Sequence, residues 1–108
     1  MALPTKNRLK KKRDFNRIFK EGRAVKGDFL FIKFLKNNQE LSRFGIIVPA
    51  GVFAKPVDRN RIKRVLSEVL RQRLDGILGF DAVVVLTKKD MEEKIKQELI
   101  LLLNNLMG

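Results

Sequence analysis

Asp58 to Arg71 reads DRNRIKRVLSEVLR, and two patterns share one helical repeat in it. Ile62, Val65, Leu66, Val69 and Leu70 recur at the spacing of an apolar stripe. Arg59, Asn60, Lys63, Arg64, Ser67 and Arg71 fall together on a different side at about 100° per residue. One helix therefore carries both core and a basic footprint. Asp58 is the expected N-cap, which makes RNRIKR the opening of the helix.

Downstream of this helix, a turn from Gly76 to Gly79 leads into DAVVVLT, an apolar run of the kind found in a strand buried on both faces. Asp90 and Glu93 then have the spacing of an acidic capping box, starting a helix whose Ile95, Leu99, Leu102, Leu103 and Leu106 face inward. Upstream, Pro49 stops a strand over Arg43 to Val48, and Ala50 to Val57 reads as a loop or a short bent strand. FLFIKFLK is a further strand, with Phe29, Phe31, Lys33 and Leu35 on one face and Leu30, Ile32, Phe34 and Lys36 on the other. The polar turn Asn37 to Glu40 suggests that these two strands form a hairpin. The N-terminal stretch LPTKNRLKKKRDF is expected to lie extended before a helix near Lys11 to Glu21. Phe15, Ile18 and Phe19 share one face of that helix, and Gly22 suits its C-terminus.

The chain has 108 residues, room for one domain over 1–108 and one core, and a 44% hydrophobic content that argues against disorder. Its net charge of +12 calls for a polyanionic partner. The excess is not spread evenly. Residues 1–26 carry 10 basic and 2 acidic side chains and residues 43–73 carry 8 and 2, whereas residues 74–108 carry 4 and 6. Clustering of that kind marks a binding footprint, to which Arg8, Lys10, Lys11, Lys12, Arg13 and Arg71 belong along with the RNRIKR run. Apolar stretches fall well short of the roughly 20 residues of a membrane span, and no secretory signal pattern opens the chain, so a cytoplasmic protein with no membrane partner is expected. With no Cys and no His, thiol and imidazole catalysis, disulfides and the usual zinc sites are excluded.

Arg presents a planar fork to phosphate oxygens and Lys a point charge, while helix N-termini add unpaired backbone donors. Cations at that end oppose the helix dipole unless an external anion compensates them. Asn60 could read a base edge or a sugar hydroxyl, or simply cap. Phe15, Phe19, Phe31 and Lys33 fit two readings: an aromatic and basic platform for single-stranded nucleotides, or ordinary core. The acids Asp14, Glu21, Asp28, Asp58 and Asp81 show no spacing of a catalytic dyad or metal site, and no glycine-rich phosphate loop is present. Neither a protein-borne catalytic residue nor a small-molecule substrate is expected. An RNA-binding module such as a ribosomal protein remains the alternative that charge and size allow.

DRNRIKRVLSEVLR resembles the hallmark helix of the bacterial ribonuclease P protein family. NRLKKKRDFNRIFKEG is similar to the family's opening, RFGIIV to its second strand and DAVVVLTKK to its last. The resemblance implies an α+β fold, an α/β sandwich with a single mixed sheet of about four strands and about three helices. That fold is ribosomal protein S5 domain 2-like, with a left-handed βαβ crossover. It also implies a subunit that binds a catalytic RNA and helps it remove the 5′ leader of precursor tRNA, with Mg²⁺ held through the RNA and no cofactor on the protein. Matched onto this chain, Arg59, Asn60, Arg61, Lys63 and Arg64 would contact the catalytic RNA, and Phe15, Phe19, Phe31 and Lys33 the leader. The chain departs from the family pattern at Pro49, Ala50 and Gly51, and at Ser67, where basic residues are usual.

Overall fold

The computed structural model describes residues 3–77 and 79–107. Its elements run α1 (Lys12–Glu21), β1 (Arg23–Lys26), β2 (Leu30–Lys36), β3 (Arg43–Ile47), α2 (Pro56–Gln72), β4 (Phe80–Leu86) and α3 (Glu92–Met107), with 3-10 turns at Thr5–Asn7 and Leu74–Gly76. Leu78, inside the expected Gly76 to Gly79 turn, lies outside the described residues.

The strands form one mixed sheet in the order β1-β2-β4-β3. β2 is antiparallel to both β1 and β4, and β3 is parallel to β4. The expected hairpin between the second and third strands therefore does not form. β4 is apolar along nearly its whole length and buried on both faces, so it takes the place between them, where each face has a cover. The α2 crossover returns the chain so that β3 and β4 run the same way. The strand that completes the sheet is RAVK at β1, not the Ala50 to Val57 segment, in which Pro49 to Val52 turns instead. Four residues with a basic one at each end carry too little pattern to be read as a strand. β1 is held by pairing with β2, and Glu98 of α3 fixes the turn between the two, its carboxylate accepting the N–H groups of Asp28, Phe29 and Leu30 at 2.8–2.9 Å.

One sheet face packs against α2 and α3. Leu30, Ile32, Phe44, Ala82, Val84 and Leu86 meet Ile62, Leu66, Val69, Leu70, Ile95, Leu99 and Leu103 there. α1 covers part of the opposite face, where Leu9, Ile18 and Val83 form a smaller buried cluster. The opening segment is not simply extended: after its 3-10 turn, Leu9 N–H bonds the Phe44 carbonyl at 2.9 Å and shields the free edge of β3.

Two helix starts shift. α2 starts with Pro56 at its first position, pre-organised for that place, so Lys55 and not Asp58 is the N-cap. Asp58 sits within the first turn, where its charge still suits the dipole. α3 starts at Glu92, with the Asp90 carboxylate bonding the Met91 N–H and Glu93 receiving Gln97, so the capping box is not made. Gly22 ends α1 in an extended conformation rather than a left-handed one. Glycine is needed there because a Cβ would come within 2.5 Å of the Ile18 carbonyl and 2.8 Å of the Phe34 carbonyl.

Candidate RNA interface

Strand register arranges the α1 side of the sheet into three rows that cross β2, β4 and β3. Phe31, Val85 and Ile47 form the first row, Lys33, Val83 and Gly45 the second, and Leu35, Asp81 and Arg43 the third. α1 crosses over the second row. Ile18 and Val83 are fully buried beneath it, the Phe15 ring lies on Gly45, and Lys33 Nζ donates to the Phe19 carbonyl at 3.2 Å. A Cβ on Gly45 would stand 2.5 Å from the Phe15 ring, so the absence of a side chain there is what lets α1 approach β3.

The first row stays half-exposed in front of the helix. Phe31 and Lys33 line a concavity of about 400 Å³ with Ala24, Lys26 and Thr87. Phe15 lies in a second groove, of about 200 Å³, with Arg8, Lys63 and Ser67. The four residues singled out in the sequence thus share one sheet face and one bordering helix but not one cavity. Phe15, Phe19 and Phe31 are all half-buried, and Phe15 and Phe19 pack against the smaller buried cluster while leaving part of their surface open. Val85 and Ile47, which complete the open row, carried no polar signal in the sequence.

Behind α1 the third row holds a charged cluster that the scattered acids did not suggest. Asp81 has 0% side-chain exposure. Its carboxylate accepts from Arg43 at 3.0 and 2.6 Å, from Asn37 at 2.9 Å and from Arg17 at 3.2 Å. Asp14 stands 3.7 Å from Arg43 and extends a chain of alternating charge that runs Asp14, Arg43, Asp81, Arg17. Burial pushes the Asp81 carboxyl up, but the hydrogen bonds from Arg43 and Asn37 and the charges of Arg43 and Arg17 together hold it below the ordinary value. The hydrogen bond with Asp81 raises Arg43 against its own desolvation. A single Asp inside an apolar strand run was the one available clue.

In α2 the basic run begins at the fourth helical residue, so it does not coincide with the unpaired N–H groups of the first turn. Arg59 turns back to the loop, donating to the carbonyls of Phe53 and Ala54 at 3.0 and 2.8 Å. Arg61 pairs with Glu92 at 2.9 Å, and Arg71 with Glu68 at 2.5 Å. The hydrogen bond from Arg71 lowers the Glu68 carboxyl to about 2, and Arg71 is raised in turn. Asn60, Lys63 and Arg64 stand exposed on the outer side. Cations at a helix N-terminus occur instead in α1, where Lys11 is the N-cap and Lys12 and Arg13 follow, all exposed. Lys10 is exposed just before them. Arg8 is exposed as well, with its Nε bonded to the Leu3 carbonyl at 2.8 Å.

Among the described residues no group of acidic side chains could hold a metal ion, and no helix is long and apolar enough to cross a membrane. The sequence profile of the family described as Ribonuclease P matches residues 3–107. The Ribonuclease P protein component of Thermotoga maritima is 37% identical over 95% of this chain and 94% of its own. That of Clostridioides difficile is 35% identical over 82% and 84%. Among solved structures, the RNase P protein from Thermotoga maritima superposes with a TM-score of 0.80 at 34% identity, covering 91% of this chain and 96% of the other. The Staphylococcus aureus RNase P protein does so with 0.84 at 28% identity, covering 91% and 93%.

Proposed function

The chain belongs to the ribonuclease P protein family, with a role in the ribonuclease P ribonucleoprotein of tRNA processing, and from that premise we propose that two of its surfaces divide two RNA contacts. The outer side of α2, with Asn60, Lys63 and Arg64 exposed and Arg59 and Arg61 beside them, takes phosphates of the catalytic RNA. Arg8 and the exposed cations Lys10 to Arg13 extend that footprint along the opening segment. The open row of Phe31, Val85 and Ile47, bordered by α1 and Lys33, takes the single-stranded 5′ leader of precursor tRNA. Bases stack on aromatic rings, and their phosphates pair with neighbouring cations.

The observation that carries this reading is the half-exposed row itself. Three apolar side chains from three strands lie uncovered beside a helix bearing Phe15 and Phe19, with Lys33 and Lys26 at the rim. In this reading cleavage belongs to the RNA and its bound Mg²⁺, and the buried Asp81 carboxylate, taken up by four hydrogen bonds, serves structure instead. The protein supplies affinity and orientation, and its working compartment is the cytoplasm. Purified, RNA-free protein is expected to leave precursor tRNA intact. Addition of a bacterial ribonuclease P RNA with Mg²⁺ is expected to give leader removal. Metal-dependent cleavage at the mature 5′ end by the protein alone would overturn this division.

A further inference from the structure

We infer that Asp81 is a positioning residue for leader recognition, setting the roll of α1 about its axis and with it the aromatic wall of the open row. The inference rests on the leader-binding reading above and goes beyond it, because Asp81 lies behind α1 and touches none of the residues assigned to RNA.

At about 100° per residue, Asp14 and Arg17 occupy one flank of α1, Phe15 and Phe19 the other, and Ile18 the underside between them. The two charged residues reach backward to Arg43 and Asp81. Lys33 takes the Phe19 carbonyl at the helix's far end, and Ile18 fills the space beneath. Apolar contact under Ile18 is non-directional and tolerates rotation of a ten-residue helix. The charged contacts are directional: Asn37 and Arg43 hold the Asp81 carboxylate in place with three hydrogen bonds, and α1 is tied to that fixed point by Arg17 on Asp81 and by Asp14 beside Arg43. Rolling α1 so that Arg17 leaves Asp81 would swing Phe15 off Gly45 and Phe19 away from the row. Stability does not by itself require a charged pair here, since a buried ion pair can often be replaced as a whole by well-packed apolar side chains without loss, although removing one member alone is costly. Its neighbours Ala82 to Leu86 show that β4 is apolar elsewhere. What the charged cluster adds is one defined orientation of the helix.

The test compares holoenzymes carrying wild-type protein, Asp81→Asn, or the apolar pair Arg43→Met with Asp81→Leu. The pair removes the charged cluster without leaving the half-buried Arg43 guanidinium unpaired. Dissociation constants are measured for precursor tRNA with a leader of several nucleotides, for mature tRNA and for the catalytic RNA, beside a thermal melt of each protein. The preference for precursor over mature tRNA is expected to fall about fivefold or more, the loss of roughly one stacked base. Affinity for the catalytic RNA is expected to stay within about twofold, because phosphate contacts on α2 are untouched. An unchanged preference in a folded variant, equal losses for both tRNAs, or failure of both variants to fold would overturn the inference and leave Asp81 a stabilising residue only. If wild-type holoenzyme itself shows no preference for precursor, the leader-binding reading fails, a result distinct from any of these.

Discussion

Lys33 occupies a strand position where an apolar residue would complete the face, and its Nζ reaches the last turn of α1 at the Phe19 carbonyl. A cation there complements the negative end of the helix dipole, which explains how a half-buried Lys is tolerated beside Phe31 and Val83. Its oddness was visible in FLFIKFLK, but its partner was not, because the two meet only when α1 folds back over β2. Phe15 posed the complementary question, core or platform, and its ring rests on Gly45 with part of its surface left open. Phe15→Ala and Lys33→Ala are each expected to weaken holoenzyme binding of precursor tRNA by roughly 1 kcal/mol, through lost stacking or charge. Binding of mature tRNA should barely change. Equal losses for both ligands, in variants whose melts show an intact fold, would assign the two side chains to the core alone.

α2 shows how one element divides its labour. The apolar stripe read from periodicity is the buried side, with Ile62, Leu66, Val69 and Leu70 in the main core. The basic side was equally legible, yet its members are not equivalent. Arg59 fastens the loop at Phe53 and Ala54, and Arg61 is paired with Glu92, 31 residues along the chain. Lys63 and Arg64 are exposed, make no comparable bond among the described residues, and are the best placed of the run to meet phosphate. Lys63→Ala and Arg64→Ala are therefore expected to leave the protein's melt unchanged. Each should reduce the slope of log K against log salt for the catalytic RNA by about 0.7 to 0.9 units. Arg59→Ala should instead lower the melting temperature as well as the affinity, because it frees two loop carbonyls. Identical behaviour of Arg59→Ala and Arg64→Ala in melts and salt titrations would contradict this division. Helix starts were the least legible feature. Pro56 pulled α2 three residues upstream of the run that marked it.

Asp81 ties distant parts of the chain into one structure, joining α1, the turn after β2, β3 and β4 through Arg17, Asn37 and Arg43. Because its folded pKa lies below the unfolded value, the unfolded chain takes up the proton more readily. The stability it contributes is fully present above the ordinary carboxylate value of about 4 and is lost as pH falls through the lower, folded value. Melting temperature is thus expected to drop steeply on acidification below about pH 4, and Asp81→Asn should flatten that limb. Parallel limbs for both proteins would show that other carboxylates govern acid unfolding. The amino-acid sequence alone determined the charge and the RNA-binding class, the apolar stripes of α2 and α3, the buried character of β4 and the family. Those properties are local in pattern or summed over composition. The interleaved strand order, the short β1, the open row and the charged cluster at Asp81 were set by three-dimensional packing. Each depends on which distant segments share a sheet face, and a polar side chain far along the chain from its partners bears no mark of where they lie.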